Sequence, residues 1–359
     1  VWEFSVDDGL VLVRPDVHGF FLLNNTARLV WHQFSQGVPL AEIASGMAAL
    51  FCISPETARR DIEAAIASWR EGLLASSPPS VRLPPSAIAR TDVCPVDCVV
   101  NGNPMRVVLE LGDVWDEIAP RLEPVRTEPH PPRRTFAVGS AAGRVLVFRD
   151  GTCIGNEENA AGARAVLLQA MASLSEPAAI LHAGGCGGVL LAGHSHCGKS
   201  TLCAALMGRG LPYHCDDSAV LDREFRVTPM PFPVMLRPGS WPLIEDRFPA
   251  FRDAPVYRRW GTNVRLLTPV HAAAPARITA LVFVGHETGA ETQLAELSVL
   301  DTLLALERSG FWVEHTPESI ERFLGWLARI GRYNLRYAGL EEAEAIIGKL
   351  AANAPPALA

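Results

Sequence analysis

Apolar positions in the first 75 residues change period along the chain. GLVLV (9–13) and GFFLL (19–23) are short apolar runs joined by a turn containing Pro15 and Asp16, and they predict two strands. The spacing then becomes helical. Asn25 and Thr26 stand where a cap is needed for a helix through ARLVWHQF, and a second helix is predicted from about Pro39 to Phe51. Ser54 before Pro55 reads as an N-cap with proline at the first helical position. Ala58, Ile62, Ala65, Ile66, Trp69 and Leu73 then form one helical stripe. Strands followed by three helices predict a small α+β unit of winged-helix shape over 1–75.

SSPPSVRLPPS (76–86) predicts a proline-rich linker over 76–90. Beyond it, VVNG, RVVLELG, RTFAVGS and GRVLVFRDG read as strands and 160–173 as a helix, giving an α/β part over 91–175. A second part over 176–350 opens with CGGVLLAG (186–193), a continuous apolar strand running into a glycine turn. A helix, STLCAALMGRG (200–210), follows. LPYHCDDSAVL (211–221) predicts a strand with two acids in its middle, and RVTPMPF, NVRLLTP and ITALVFVG predict further strands. Thr316-Pro317-Glu318 starts a helix to about Ile330, YNLRYAG (333–339) is a strand, and 340–350 a last helix. The Ala/Pro-rich end, 351–359, reads as a flexible tail.

Composition narrows the function classes. A 359-residue chain that is 48% hydrophobic and 20% charged is globular, with room for two or three domains. Its net charge of −7 argues against a nucleic-acid binder. Over 1–75 the five basic residues, Arg14, Arg28, Arg59, Arg60 and Arg70, face nine acids, a balance of −4 that has the wrong sign for phosphate contacts. The apolar runs are too short to span a membrane. The eight cysteines form no paired framework, and Cys94-x3-Cys98 has no second half at zinc spacing. Free thiols in a reducing cytosol follow, which implies a cytoplasmic protein. Self-association stays open.

GHSHCGKST (193–201) fits the template G-x-x-x-x-G-K-[ST] in its required context of buried strand, turn and helix. In such a loop the main-chain amides of Gly193, His194, Ser195, His196, Cys197 and Gly198 converge with the helix start on an anion. Lys199 would reach the β- and γ-phosphates of ATP, Ser200 would hold Mg²⁺, and Thr201 completes the motif. Asp216 and Asp217 lie one strand downstream. Neighbours on a regular strand point to opposite faces, so only a strand terminus or a bulge could aim both at one site. His182 precedes the phosphate-loop strand and is placed near the same centre.

LHAGGCGGVLLAGHSHCGKSTL followed by YHCDDSAVL resembles the catalytic core of HPr kinase/phosphorylase and its bacterial relatives that act on peptides. The resemblance extends through LRPGSW, NVRLLTP and the closing RIGRYNLRYAGLEEAEAIIGKL, about 91–350. It implies an α/β P-loop kinase core using ATP and Mg²⁺, with Asp216 accepting the proton of an attacking hydroxyl, His182 supporting it and Asp217 helping to hold the metal. Arg237 and Arg265 fall in segments similar to substrate- or phosphate-contacting positions. Loops of these relatives read G-x-S-G-x-G-K-S, so His196 stands where glycine is expected, and a positive φ there would cost about 1 kcal/mol. The glycine-rich signature that HPr kinases carry after the paired aspartates is missing.

FFLLNNTARLVWHQFSQGVPLAEIA resembles PqqD-like domains, which recognise leader peptides of ribosomally made, modified peptides. That resemblance implies a leader bound by β-augmentation along Phe20, Phe21, Leu22 and Leu23, against the helix carrying Arg59. The combined expectation is an ATP/Mg²⁺-dependent kinase acting on a Ser or Thr hydroxyl of a precursor peptide, held by its docked leader. Two alternatives stand beside it. One is a non-catalytic peptide-binding chaperone with a degenerate kinase fold. The other is an HPr-type protein serine kinase acting as a metabolic regulator.

Overall fold

The computed structural model describes residues 1–16, 19–74, 92–173, 177–259, 262–269 and 273–352. The expected linker lies outside the described residues, as does the tail beyond residue 352. Two compact units form. One holds residues 1–74 together with Leu297–Leu304 and His315–Ala328, and the other holds the remaining described residues. The first unit therefore draws in two segments that the sequence assigns to the 91–350 part.

In the first unit, β1 (Trp2–Val6), β2 (Gly9–Val13) and β3 (Phe20–Asn24) form an antiparallel sheet in that order. Helices α1 (Asn25–Ser35), α2 (Leu40–Phe51) and α3 (Pro55–Glu71) follow. β1 has no counterpart in the sequence reading, because its residues alternate between half-buried and exposed and leave no apolar run. Capping falls one residue earlier than expected: Asn24, not Asn25, accepts the Ala27 amide at 2.9 Å. Ser54 caps α3 as expected, at 3.1 Å from the Thr57 amide. Leu10, Leu12 and Leu23 pack with Trp31, Ile43, Ile62, Ile66 and Trp69 into one core, in which the Trp31 and Trp69 rings meet edge-on at 5.4 Å. Val11 and Val13, on the opposite face of β2, are also fully buried. Segments from α8 (Val299–Ser309) and α9 (Pro317–Arg329) belong to the same unit. A β-carbon on Gly9 would meet Leu300 at 3.2 Å. His315 donates from Nε2 to the Arg14 carbonyl at 2.6 Å, and its ring lies 5.3 Å from that of Trp2.

The second unit opens with a five-stranded sheet of β4 (Val93–Val100), β5 (Asn103–Glu110), β6 (Arg134–Ala141), β7 (Arg144–Arg149) and β8 (Thr152–Glu157), in sequence order. It carries α4 (Asp113–Leu122) and α5 (Ala160–Ala172). Cys94 and Cys98 both lie on β4, where burial pushes the Cys98 thiol up to about 12.

Next come β9 (Ala179–Leu181), β10 (Ala183–Cys186), β11 (Val189–Ala192), α6 (Lys199–Gly208), β12 (Tyr213–Cys215) and β13 (Ala219–Leu221). The strand expected over 211–221 is thus two strands, and they belong to different sheets. β12 lies in a six-stranded sheet, order β12-β10-β11-β19-β22-β20, with β19 (Ala280–His286), β20 (Gln293–Glu296) and β22 (Gly331–Tyr337). β13 lies in the sheet β18-β14-β13-β9-β21, with β14 (Arg226–Thr228), β18 (Ala276–Arg277) and β21 (Phe311–Val313). A fourth sheet of this unit joins β15 (Val234–Leu236), β17 (Thr262–Leu267) and β16 (Val256–Arg259), and a short helix, α7 (Trp241–Glu245), separates β15 from β16. β11, β19 and β22 run parallel, and a buried parallel strand needs apolar residues on both faces, which explains the unbroken VLLA. α6 and the last helix, α10 (Leu340–Ala352), pack on this sheet through Leu202, Leu206, Ala343 and Ile347.

Candidate active site

The glycine-rich loop leaves β11 at the carboxyl edge of the parallel strands, where ligands bind in open α/β sheets. Two of its glycines are sterically required. A β-carbon on Gly193 would come within 2.9 Å of Cys197 Sγ and 3.0 Å of the Val284 carbonyl, and one on Gly198 would collide with the Tyr337 hydroxyl. Both glycines have positive φ, +135° and +100°. His196 has it too, at +72°, so the strain expected at this position is present. Its Nδ1 accepts a hydrogen bond from Arg237 Nη1 at 2.9 Å. Replacing His196 by glycine removes the strained β-carbon and also that contact. We expect urea midpoints to report a gain of about 0.5–1 kcal/mol, and a loss would mean that the Arg237 contact outweighs the strain.

α6 begins at Lys199, and its first-turn amides have no carbonyl of their own helix to meet. Lys199 is buried, and its Nζ donates to the carbonyls of Gly193 at 2.7 Å and His194 at 3.0 Å, with Cys197 Sγ beneath it at 3.9 Å. Thr201 shares a 2.6 Å hydrogen bond with Ser240. Main-chain donors, a lysine and a helix start converge here, a constellation suited to a phosphate.

Residues 216–218 bridge β12 and β13 without strand structure, and this interruption releases the two aspartates from strand alternation. They are unequal. Asp216 is buried: its Oδ2 accepts the Met235 amide at 3.1 Å and its Oδ1 has no partner. Burial first, then Asp217, pushes its carboxyl up to about 6, against Arg121, Ser200 and the Met235 amide. Asp217 keeps about a third of its side chain accessible and pairs with Arg164 at 3.3 Å. Burial raises its carboxyl too, but Arg164, Arg121, His182 and Arg259 outweigh that and hold it below the usual carboxylate range. His182 bonds to the Asp217 main chain, and burial and then Lys199 keep its imidazole below the ordinary histidine value.

A cleft of about 280 Å³ gathers these groups: His182, Ser195, His196, Gly198, Lys199, Ser200, Thr201, Asp217 and Arg237 all line it. Asp216 does not; it adjoins Ser200 from behind. Arg164, Arg259, Met235 and Ser240 also line the cleft, and the sequence reading missed all four. Arg164 and Arg259 share one counter-ion, Glu117 on α4, whose Oε1 lies 2.7 Å from Arg164 Nη1 and 3.1 Å from Arg259 Nε. Burial, then Arg164, brings the Arg259 guanidinium down to about 10. One signal was available: Arg164 is the only charge in AAGARAVLLQAMA, where an isolated buried arginine demands a partner.

Other expected residues fall elsewhere. Arg265 is not in the cleft: it pairs through Nη1 with Glu245 at 2.8 Å and lies over the Trp241 ring at 4.2 Å, so its charge is already compensated there, although its buried Nε has no hydrogen-bond partner among the described residues. In the first unit Leu23 is core and Phe21 packs against it, because alternate positions of β3 must face inward. Phe20 and Leu22 are half-buried, and β3 is an edge strand. Arg59 is exposed and pairs with Glu63 at 2.8 Å.

The donors suit a hard divalent cation. Ser200 and Asp216 offer oxygen, the choice of Mg²⁺, and the unpartnered buried Oδ1 of Asp216 is a polar atom in need of a ligand. Among the described residues no group of three or more His, Cys, Asp or Glu could hold a metal alone, so phosphate oxygens and water would complete its shell.

A family model described as coenzyme PQQ synthesis protein D (PqqD) matches residues 9–74. These residues form a PqqD-like domain. No curated protein and no solved structure matches the chain. Among the described residues no helix is long and apolar enough to cross a membrane.

Proposed function

We propose that the chain is an ATP/Mg²⁺-dependent kinase that phosphorylates a Ser or Thr hydroxyl of a ribosomally made precursor peptide, with the PqqD-like domain holding the leader. One observation carries the reading: Lys199, Ser200, Asp217 and His182 line a single cleft, with Asp216 directly behind Ser200. ATP and Mg²⁺ together supply an activated phosphoryl group and the charge that neutralises it. Loop amides and Lys199 hold the phosphates, and Ser200 with Asp216 provides oxygens for the cation. Asp217, ionised and facing the cleft, orients the acceptor hydroxyl and takes its proton, which exchanges the two aspartate roles that the resemblance implies. Phosphoryl transfer runs through a loose transition state, so alignment matters more than base strength. Neutral His182 braces the Asp217 main chain, and Arg164 and Arg259 add positive charge that offsets the negative charge on the phosphoryl oxygens. The edge strand β3 supports leader docking by strand addition.

Incubating the protein with γ-labelled ATP, Mg²⁺ and a leader-bearing Ser/Thr peptide tests this. Label on the peptide is the expected result. Tight peptide binding with no transfer would instead favour the chaperone, a reading to which the strained His196 and the inward-folded Lys199 lend some support.

A further inference from the structure

Beside the main cleft lies a second cavity of about 180 Å³, bounded by His196, Met235, Arg237, Arg259, Thr262 and Val264. The first four of these also line the main cleft, so the two spaces are contiguous. Its size is comparable to a cavity that holds benzene, about 150 Å³; it admits one side chain and excludes a nucleoside.

Charge in this corner is unevenly compensated. Arg164 and Arg259 lean on Glu117, and Arg164 also holds Asp217. Arg237 differs: its hydrogen bond goes to the ring nitrogen Nδ1 of His196, and among the described residues no carboxylate lies within ion-pair distance of it. That single bond occupies one of five guanidinium donors and leaves a fork geometry matched to a carboxylate or phosphate. Thr262, which carries a hydroxyl, and Arg259 share the cavity wall. A charged fork, a hydroxyl and a pocket one side chain deep constitute a receptor for an anionic side chain.

We propose that this cavity is a specificity subsite that binds an anionic side chain next to the acceptor hydroxyl, with Arg237 as its principal ligand. The preferred substrate is then a Ser/Thr peptide with a neighbouring Asp or Glu. A phosphoserine left by an earlier transfer offers the same chemistry and would make phosphorylation processive. The inference rests on the kinase reading for its purpose but not for its test.

The test uses one fluorescein-labelled Ser peptide in four forms, with Asp, Glu, Asn or phosphoserine beside the acceptor, and the full chain as wild type and as Arg237→Gln. Binding is read by anisotropy with MgADP, and transfer by label from ATP. Ratios are taken within each protein, so a general loss in the variant cancels. We expect the acidic forms to bind at least about tenfold more tightly than the Asn form to the wild type, as a charge-assisted hydrogen bond implies, and that ratio to fall to near one in Arg237→Gln. Arg237→Glu should reverse the order for a Lys-flanked peptide. A wild-type ratio near one, or a preference that survives Arg237→Gln, overturns the proposal. Preference for phosphoserine alone assigns the subsite to earlier product. Acid-selective binding without transfer on any peptide would sink the kinase reading and leave the subsite standing.

Discussion

Asp216→Asn should abolish phosphoryl transfer and at the same time make the protein more stable at neutral pH. The carboxyl is buried, one oxygen is unpartnered, and its pKa is raised from 3.8 to about 6. A raised carboxyl favours the protonated form in the folded state. Its contribution to stability is therefore complete below pH 4 and is lost as pH rises toward 6. A shift of about two units corresponds to about 3 kcal/mol, of which we expect about 2 to be recovered. Asparagine keeps an oxygen for the Met235 amide and places an NH2 group where Oδ1 now lacks a partner. Thermal unfolding should show Tm higher by about 5 °C at pH 7.5, with the difference shrinking below pH 5. Transfer should fall by about 10³-fold or more, because asparagine is a poorer ligand for the cation that the proposed mechanism needs. A lower Tm with an unchanged pH profile would show that Asp216 is not the strained group. Stability given up at a functional site in this way is a common trade.

How far the sequence disclosed this site depended on whether the relevant signal was local. The loop 193–201 and the buried strand before it were readable, since a tight turn and a helix start impose residue types within nine positions. The positive φ at His196 was expected from the resemblance alone, whose loops carry glycine there; the bare template leaves that position open. By contrast, the break at Asp216 looks like a continuous strand in LPYHCDDSAVL. Only the departure of β12 and β13 into different sheets turns both acids toward the same neighbourhood, and sheet membership is not a local property. Arg164, Glu117 and Arg259 come from α5, α4 and β16, and nothing in their own segments declares that one carboxylate will serve two guanidiniums. Arg265 misled because its segment resembles a contacting one, while Glu245 and Trp241 arrive from α7 to claim it. In the first unit, the apolar run GLVLV implied a strand but not that both of its faces would be buried.

Deleting residues 1–74 should unfold more than a peptide-binding module. From the sequence such a truncation looks like a clean way to separate leader recognition from transfer. But Leu297–Leu304 and His315–Ala328 belong to the same compact unit as the residues removed. Helix α9 buries Ile320, Phe323, Leu324, Trp326 and Leu327 on one face, while Glu321 and Arg322 occupy the other. Each such apolar side chain contributes about 2 kcal/mol when buried. Exposing even half of that face costs about 5 kcal/mol, a sum comparable to the whole stability of many proteins. The His315 bond to the Arg14 carbonyl and the Trp2 ring contact are lost as well. The complementary fragment fares no better, since Val11 and Val13 are buried on the sheet face away from α1–α3. We expect the fragment 75–359 to be recovered mainly as aggregate, with strong ANS binding and no cooperative thermal transition. A soluble, cooperatively unfolding fragment would show that α9 does not depend on the PqqD-like domain. Leader dependence is better tested on the intact chain: an excess of free leader peptide should slow transfer to a leader-bearing substrate and leave a leaderless one untouched. That comparison leaves the chain intact, so any change in rate reports docking rather than collapse of the unit.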